Sequence, residues 1–147
     1  MPAVSRSRTV RAPREDVWRL MADPFHLPRW WPSLARVEDA TSDAWTMVLK
    51  APRGKPVRID YTTLESVLHR RLVWRQEVEE SPFERIFSSS VTTIELEPEG
   101  EDATRVQMTV DERLRGRFRL GGFMVRRAAR RRLDEALEGL ERAAAPG

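Results

Sequence analysis

The stretch RFRLGGFMVRRAARRRLDEALEGLERAAAPG, residues 117–147, decides the reading of the fold. At about 100° per residue, Phe118, Gly122, Val125, Ala129, Leu133, Ala136, Leu140 and Ala144 share one helix face. Arg127, Arg131, Asp134, Glu138 and Glu141 fall opposite. Along this apolar stripe the side chains change size: Leu133, Leu137 and Leu140 are ordinary core fillers, whereas Gly122, Val125 and Ala129 are small. Protein interiors are filled to crystal-like density. A lining of small residues therefore requires either bulky partners from a facing sheet or a ligand in the space. The helix alone leaves both open.

Upstream, Val4 to Ala12 is short, polar and rich in Ser, Thr and Val, and reads as a first strand. Pro13 then suits the first position of a helix, with Glu15 and Asp16 at the positive end of the dipole. Val17, Leu20 and Met21 follow at i, i+3, i+4, and Asp23-Pro24 ends the segment. A second short helix or turn, Phe25 to Trp30, is closed by Pro32. From Leu34 to Leu114 the period changes to two, as in Trp45, Met47, Leu49 and again in Leu72, Trp74, Gln76, Val78. Breakers at Pro52-Arg53-Gly54, His69-Arg70-Arg71, Ser81-Pro82 and Pro98-Glu99-Gly100 divide this region into about six strands. Consecutive strands joined by short turns form an antiparallel meander with one apolar face. That face must be covered, and the terminal helix is the long amphipathic element available. The expected domain is α+β, one unit over residues 1–147, in the order β-α-α-β6-α.

The 147 residues include 33% charged and 40% hydrophobic positions, the signature of a globular chain. No run reaches the roughly 18–20 apolar residues of a membrane span. Met1 to Arg11 carries arginines without an apolar core, so no secretory signal is expected, and the cytoplasm is the default. Cysteine is absent, which excludes disulfides and thiolate chemistry. Net charge is +3, with arginines at 115, 117, 119, 126, 127 and 130–132 followed by Asp134, Glu135, Glu138 and Glu141. Arg130–Asp134 and Arg131–Glu135 at i,i+4 make this a solvated helix face. No aromatic alternation or nucleic-acid motif accompanies it, so no specific nucleic acid is expected.

Two local stretches add a resemblance. Val10-Arg11-Ala12-Pro13-Arg14-Glu15-Asp16-Val17-Trp18 and Asp23-Pro24-Phe25-His26-Leu27-Pro28-Arg29-Trp30-Trp31-Pro32, with Arg71-Leu72-Val73-Trp74-Arg75, resemble the START-like, Bet v 1-like (SRPBCC) superfamily in its polyketide cyclase/dehydrase-like branch. The resemblance implies a helix-grip fold, a curved antiparallel sheet of about seven strands wrapped around a long C-terminal helix. It also implies a hydrophobic cavity between the two. It leaves the ligand unnamed, because the superfamily includes lipid carriers, hormone receptors, aromatase/cyclases and co-chaperones.

With that cavity in view, the expected lining is Trp30, Trp45, Tyr61, Trp74, Ser88, Ser90, Met108, Phe118, Gly122, Val125, Arg126 and Ala129. Trp45, Tyr61 and Trp74 have the parity to face the helix. Ser88 and Ser90 set hydroxyls in the wall if they share the parity of Thr92 and Ile94. Of the adjacent Trp30 and Trp31, one is expected to be buried and the other to gate the entrance. Arg126 at the edge of the apolar face is a candidate partner for a ligand carboxylate or enolate. His26 is the better placed of two histidines for general-base work, His69 being expected in an exposed turn. No metal spacing, serine-nucleophile context or phosphate loop is present, so neither metal nor cofactor is expected. Entry is expected between the short helices and the 118–129 stretch. The reading is binding of a hydrophobic small molecule, polyketide-like or lipid-like. A polyketide cyclase or dehydratase is the alternative, and a protein-interaction module of the co-chaperone or toxin type comes third.

Overall fold

Strand β1 (Ala3–Val10) leads to helix α1 (Arg14–Ala22) and a 3-10 helix (Pro24–Arg29). Six strands follow: β2 (Leu34–Glu38), β3 (Ala44–Leu49), β4 (Val57–Val67), β5 (Arg71–Gln76), β6 (Phe87–Pro98) and β7 (Thr104–Leu114). Helix α2 (Gly122–Ala144) ends the chain. The computed structural model describes residues 3–51, 53–79, 81, 83, 86–116 and 121–145. The helix therefore begins at Gly122, and Phe118 lies outside the described residues.

The seven strands form one antiparallel sheet in the order β1-β7-β6-β5-β4-β3-β2. Sequential hairpins account for every neighbour except β1, which closes against β7. The two short helices thus carry the chain from one edge of the sheet to the other. Pro13 caps α1 one position earlier than expected, because its ψ of 152° is still extended. Asp23, also extended, stops α1, and its carboxylate accepts the Phe25 N–H at 3.0 Å. Register shifts at Leu34/Arg36, Thr63/Glu65 and Phe87/Ser89 bend the sheet. A helix-grip architecture of the α+β class results.

On the concave face a continuous core joins the sheet to both helices. At its centre Trp74 is ringed by Trp30, Trp31, Trp45 and Tyr61, with centroids 5.5–6.5 Å away. Both Trp30 and Trp31 are buried, against the expectation that one gates an entrance. They meet edge to face at 5.6 Å, and each also touches Trp74, so both are held in the core.

Helix α2 packs on β1, β7, α1 and the 3-10 helix. At Gly139 it packs tightly on the segment after the 3-10 helix: an added Cβ would stand 2.3 Å from the Trp30 carbonyl oxygen. Trp30 is itself held by its indole N–H, which donates to the Leu20 carbonyl at 3.0 Å. At the β1 edge Arg8 donates to Glu141 at 2.8 Å, and Arg6 meets Asp134 at 3.4 Å. Asp134 therefore pairs across to β1 rather than with Arg130. The expected Arg131–Glu135 pair does form, at 3.3 Å. Such exposed pairs contribute little each; burial of Leu133, Leu137 and Leu140 holds the helix.

Two measurements test this packing. Alanine is favoured over glycine in a helix by about 1 kcal/mol, yet Gly139→Ala should lower stability by about 2 kcal/mol or more through the backbone clash. Gly121→Ala, whose Cβ meets nothing within 4 Å, should be neutral in the same denaturation assay. Leu133→Ala and Leu140→Ala, at sites with no exposed area, should each cost about 2–5 kcal/mol.

Candidate functional site

Because α2 lies over β1 and β7, the concave face of β4 to β6 stays partly uncovered. A cleft of about 730 Å³ opens there, between the flank of α2 and the sheet. One side is apolar: Trp31, Pro32, Leu49, Ile59, Phe83 and Phe87. The helix contributes Phe123, Met124, Arg127, Ala128, Arg131, Arg132 and Glu135. Phe123, Met124, Arg127, Ala128, Arg131 and Glu135 are exposed and form the rim.

Deep in the cleft the chemistry changes. Tyr61, Gln76, Ser90, Thr92 and Glu112 line its inner wall, and all five are buried. Sheet register explains their convergence. Tyr61 pairs with Gln76 across β4 and β5, and Ser90 pairs with Glu112 across β6 and β7. Gln76 and Ser90 stand one step beyond the Arg75–Val91 pair that joins β5 to β6. A polar row thus crosses four strands. Arg132 reaches it from α2, its Nη2 donating to Glu112 Oε2 at 3.2 Å. Tyr61 stacks on Trp45 with centroids 5.7 Å apart and planes 9° apart. Burial pushes the Tyr61 phenol well above its ordinary value, Arg132 opposing and Glu112 adding smaller effects. At neutral pH the phenol therefore keeps its proton and is a donor.

Of the expected lining, Tyr61 and Ser90 stand in the wall of this cleft. Trp30, Trp45, Trp74, Met108 and Ala129 are instead buried in the packed core beside it. The indole N–H groups of Trp45 and Trp74 have no hydrogen-bond partner there. Ser88 is exposed and donates to the Arg113 carbonyl at 3.2 Å, because the Phe87/Ser89 bulge reverses the parity on which it was placed inside. Gly122 is buried beneath Arg126, whose Nη1 would lie 3.0 Å from a Cβ added there. Arg126 thus folds back on its own helix, and neither it nor Val125 lines the cleft. The space over Gly122 is taken by Arg126 and Leu114, Ala129 is buried, and the cleft sits on a neighbouring flank of α2. The cleft opens beside Trp31–Ser33 and residues 123–135, next to the expected lip of short helices, and His26 does not line it.

Neither histidine is in the wall. The His26 Nδ1 bonds the Arg19 carbonyl at 2.9 Å, a capping contact. His69, with φ of 62°, is half-buried rather than exposed, its ring edge-on to Trp18 at 6.2 Å. Missed from sequence are the apolar side and the α2 rim of the cleft and, among its inner polar groups, Gln76, Thr92, Glu112 and Arg132. Glu112 carried a readable signal: it continues the inward row Thr104, Val106, Met108, Val110, so a carboxylate stands where the period calls for an apolar side chain. Among the described residues no metal-binding group of three or more acidic or His side chains forms, and no helix is long and apolar enough to cross a membrane.

Comparison with solved structures gives the same fold over nearly the whole chain. A protein of Thermus thermophilus is 26% identical, with 97% of each chain covered and a TM-score of 0.77. A START superfamily protein from Mycobacterium smegmatis is 17% identical, covering 97% of this chain and 96% of that one, TM-score 0.78. The Zhui aromatase/cyclase from Streptomyces is 17% identical over 97% and 92%, TM-score 0.78. At 17% identity the last two speak for the fold alone. Among curated proteins none matches. Residues 1–145 match the model of the family described as polyketide cyclase / dehydrase and lipid transport, and the chain belongs to that family.

Proposed function

We propose that this protein binds a hydrophobic small molecule, polyketide-like or lipid-like, in the cleft between the sheet and α2. The observation that carries this reading is the cleft itself. Its volume of about 730 Å³ falls within the roughly 300–1,000 Å³ of small-molecule sites, and its wall is apolar with a few convergent polar groups, as such sites require. A second reading, a cyclase or dehydratase, is favoured by the Tyr61 phenol and the Glu112–Arg132 pair in the same wall. Catalysis there would come mainly from holding a flexible chain in a reactive fold. Turnover of a polyketide chain distinguishes the second reading from the first.

Native mass spectrometry of the freshly purified protein, compared with its organic-solvent extract, should reveal a co-purifying apolar molecule. Two neighbouring substitutions then locate it. Ala128 lines the cleft and is exposed, so Ala128→Trp should fill it, abolishing binding of an apolar fluorescent probe with little change in melting temperature. Ala129 is buried in the core, so Ala129→Trp should cost about 1–3 kcal/mol or more by overpacking. Retention of probe binding in Ala128→Trp would count against the cleft.

A further inference from the structure

The inner band of the cleft contains charge but no net charge. Glu112 is 6% exposed, and its carboxylate is matched by Arg132 at 3.2 Å. Around that pair stand Tyr61, Gln76, Ser90 and Thr92, a phenol, an amide and two hydroxyls. We propose that this band selects the uncharged oxygen functions of its ligand, hydroxyl, ketone or amide, and discriminates against a free carboxylate. The inference rests on the cleft being the ligand site.

Charge bookkeeping at the band gives the reason. A carboxylate brought to it must leave water, at a high cost. At Arg132 it meets a guanidinium already paired with the buried Glu112 carboxylate, so that like charge repels it at close range. Whatever it gains at the guanidinium is lost at Glu112. An alcohol or ketone surrenders much weaker hydration and meets neutral donors and acceptors along three strands, β4 to β6. The rim arginines do not reverse this preference. Arg131 is 84% exposed and already pairs with Glu135, and Arg127 is exposed as well, so both act through water and salt. An acidic group on the ligand is thereby kept at the mouth, and an uncharged oxygen is drawn inside.

Three rigid probes with one skeleton test this: pyrene, 1-pyrenemethanol and 1-pyrenecarboxylate, titrated at neutral pH by energy transfer from the tryptophans. Pyrenemethanol should bind about tenfold or more tighter than the carboxylate in the native protein. Glu112→Gln leaves Arg132 unmatched and should narrow that ratio by strengthening the carboxylate. Arg132→Gln removes the guanidinium and should not narrow it. Both variants are scored only with far-ultraviolet circular dichroism showing the native fold, and either one alone suffices. Carboxylate binding as tight as the alcohol, a ratio unmoved by Glu112→Gln, or one narrowed equally by Arg132→Gln would overturn the selectivity. Failure of all three probes, pyrene included, would instead overturn the cleft as an apolar site and the inference with it.

Discussion

A single α-helix is about 10–12 Å across, while seven strands spaced about 4.8 Å apart span roughly 29 Å. One helix cannot cover that sheet, and the other features follow from where it is placed. Contact between Gly139 and the Trp30 carbonyl draws the second half of α2 down onto the 3-10 helix. Leu133, Leu137 and Leu140 fill the space around it. The helix is thereby committed to the β1–β7 side, and β4 to β6 are left to be covered by loops, by aromatic rings, or by a ligand.

The tryptophan cluster is what allows the uncovered side to remain folded. Trp74 and the rings around it form a floor of large, rigid side chains. Apolar burial at that scale is the main stabilising contribution in a domain of this size, and the rings come from β3, β4, β5 and the segment that follows the 3-10 helix. The cleft can therefore stand beside the core without being part of it. Its inner wall also carries polar groups in partnership: Glu112 with Arg132, and Tyr61 with its proton held by burial. A buried carboxylate with no such partner would be costly, so α2, though it does not fill the cleft, supplies the cation that makes the polar row tolerable.

How much of this was legible in the chain follows the range of each interaction. Hydrophobic period, proline and glycine breakers and the acidic first turn of α1 act over a few residues, and they delimit the six-strand meander, both short helices and the long terminal one. The expected alternation also placed Tyr61 and Ser90 on the concave face, where they are. Ser88 failed because a one-residue bulge reverses every parity beyond it, and nothing in Ser88-Ser89-Ser90 marks its position.

Fold class, the apolar face of the sheet and the stripe of α2 that would meet it are written in the local pattern of the chain, because periodicity is a property of neighbouring residues. Glu112 was missed, although a charge in an inward row was there to be read. Only the tertiary structure decided which flank of α2 borders empty space. The small residues Gly122 and Ala129 pointed to one flank and the cleft lies on another, because the rotation of a helix about its axis is set by groups far away in sequence. Here those are the Trp30 carbonyl against Gly139 and the core around Leu133, Leu137 and Leu140. Long-range register likewise brought Tyr61, Gln76, Ser90 and Glu112 into one row, since strand pairing alone makes neighbours of residues tens of positions apart.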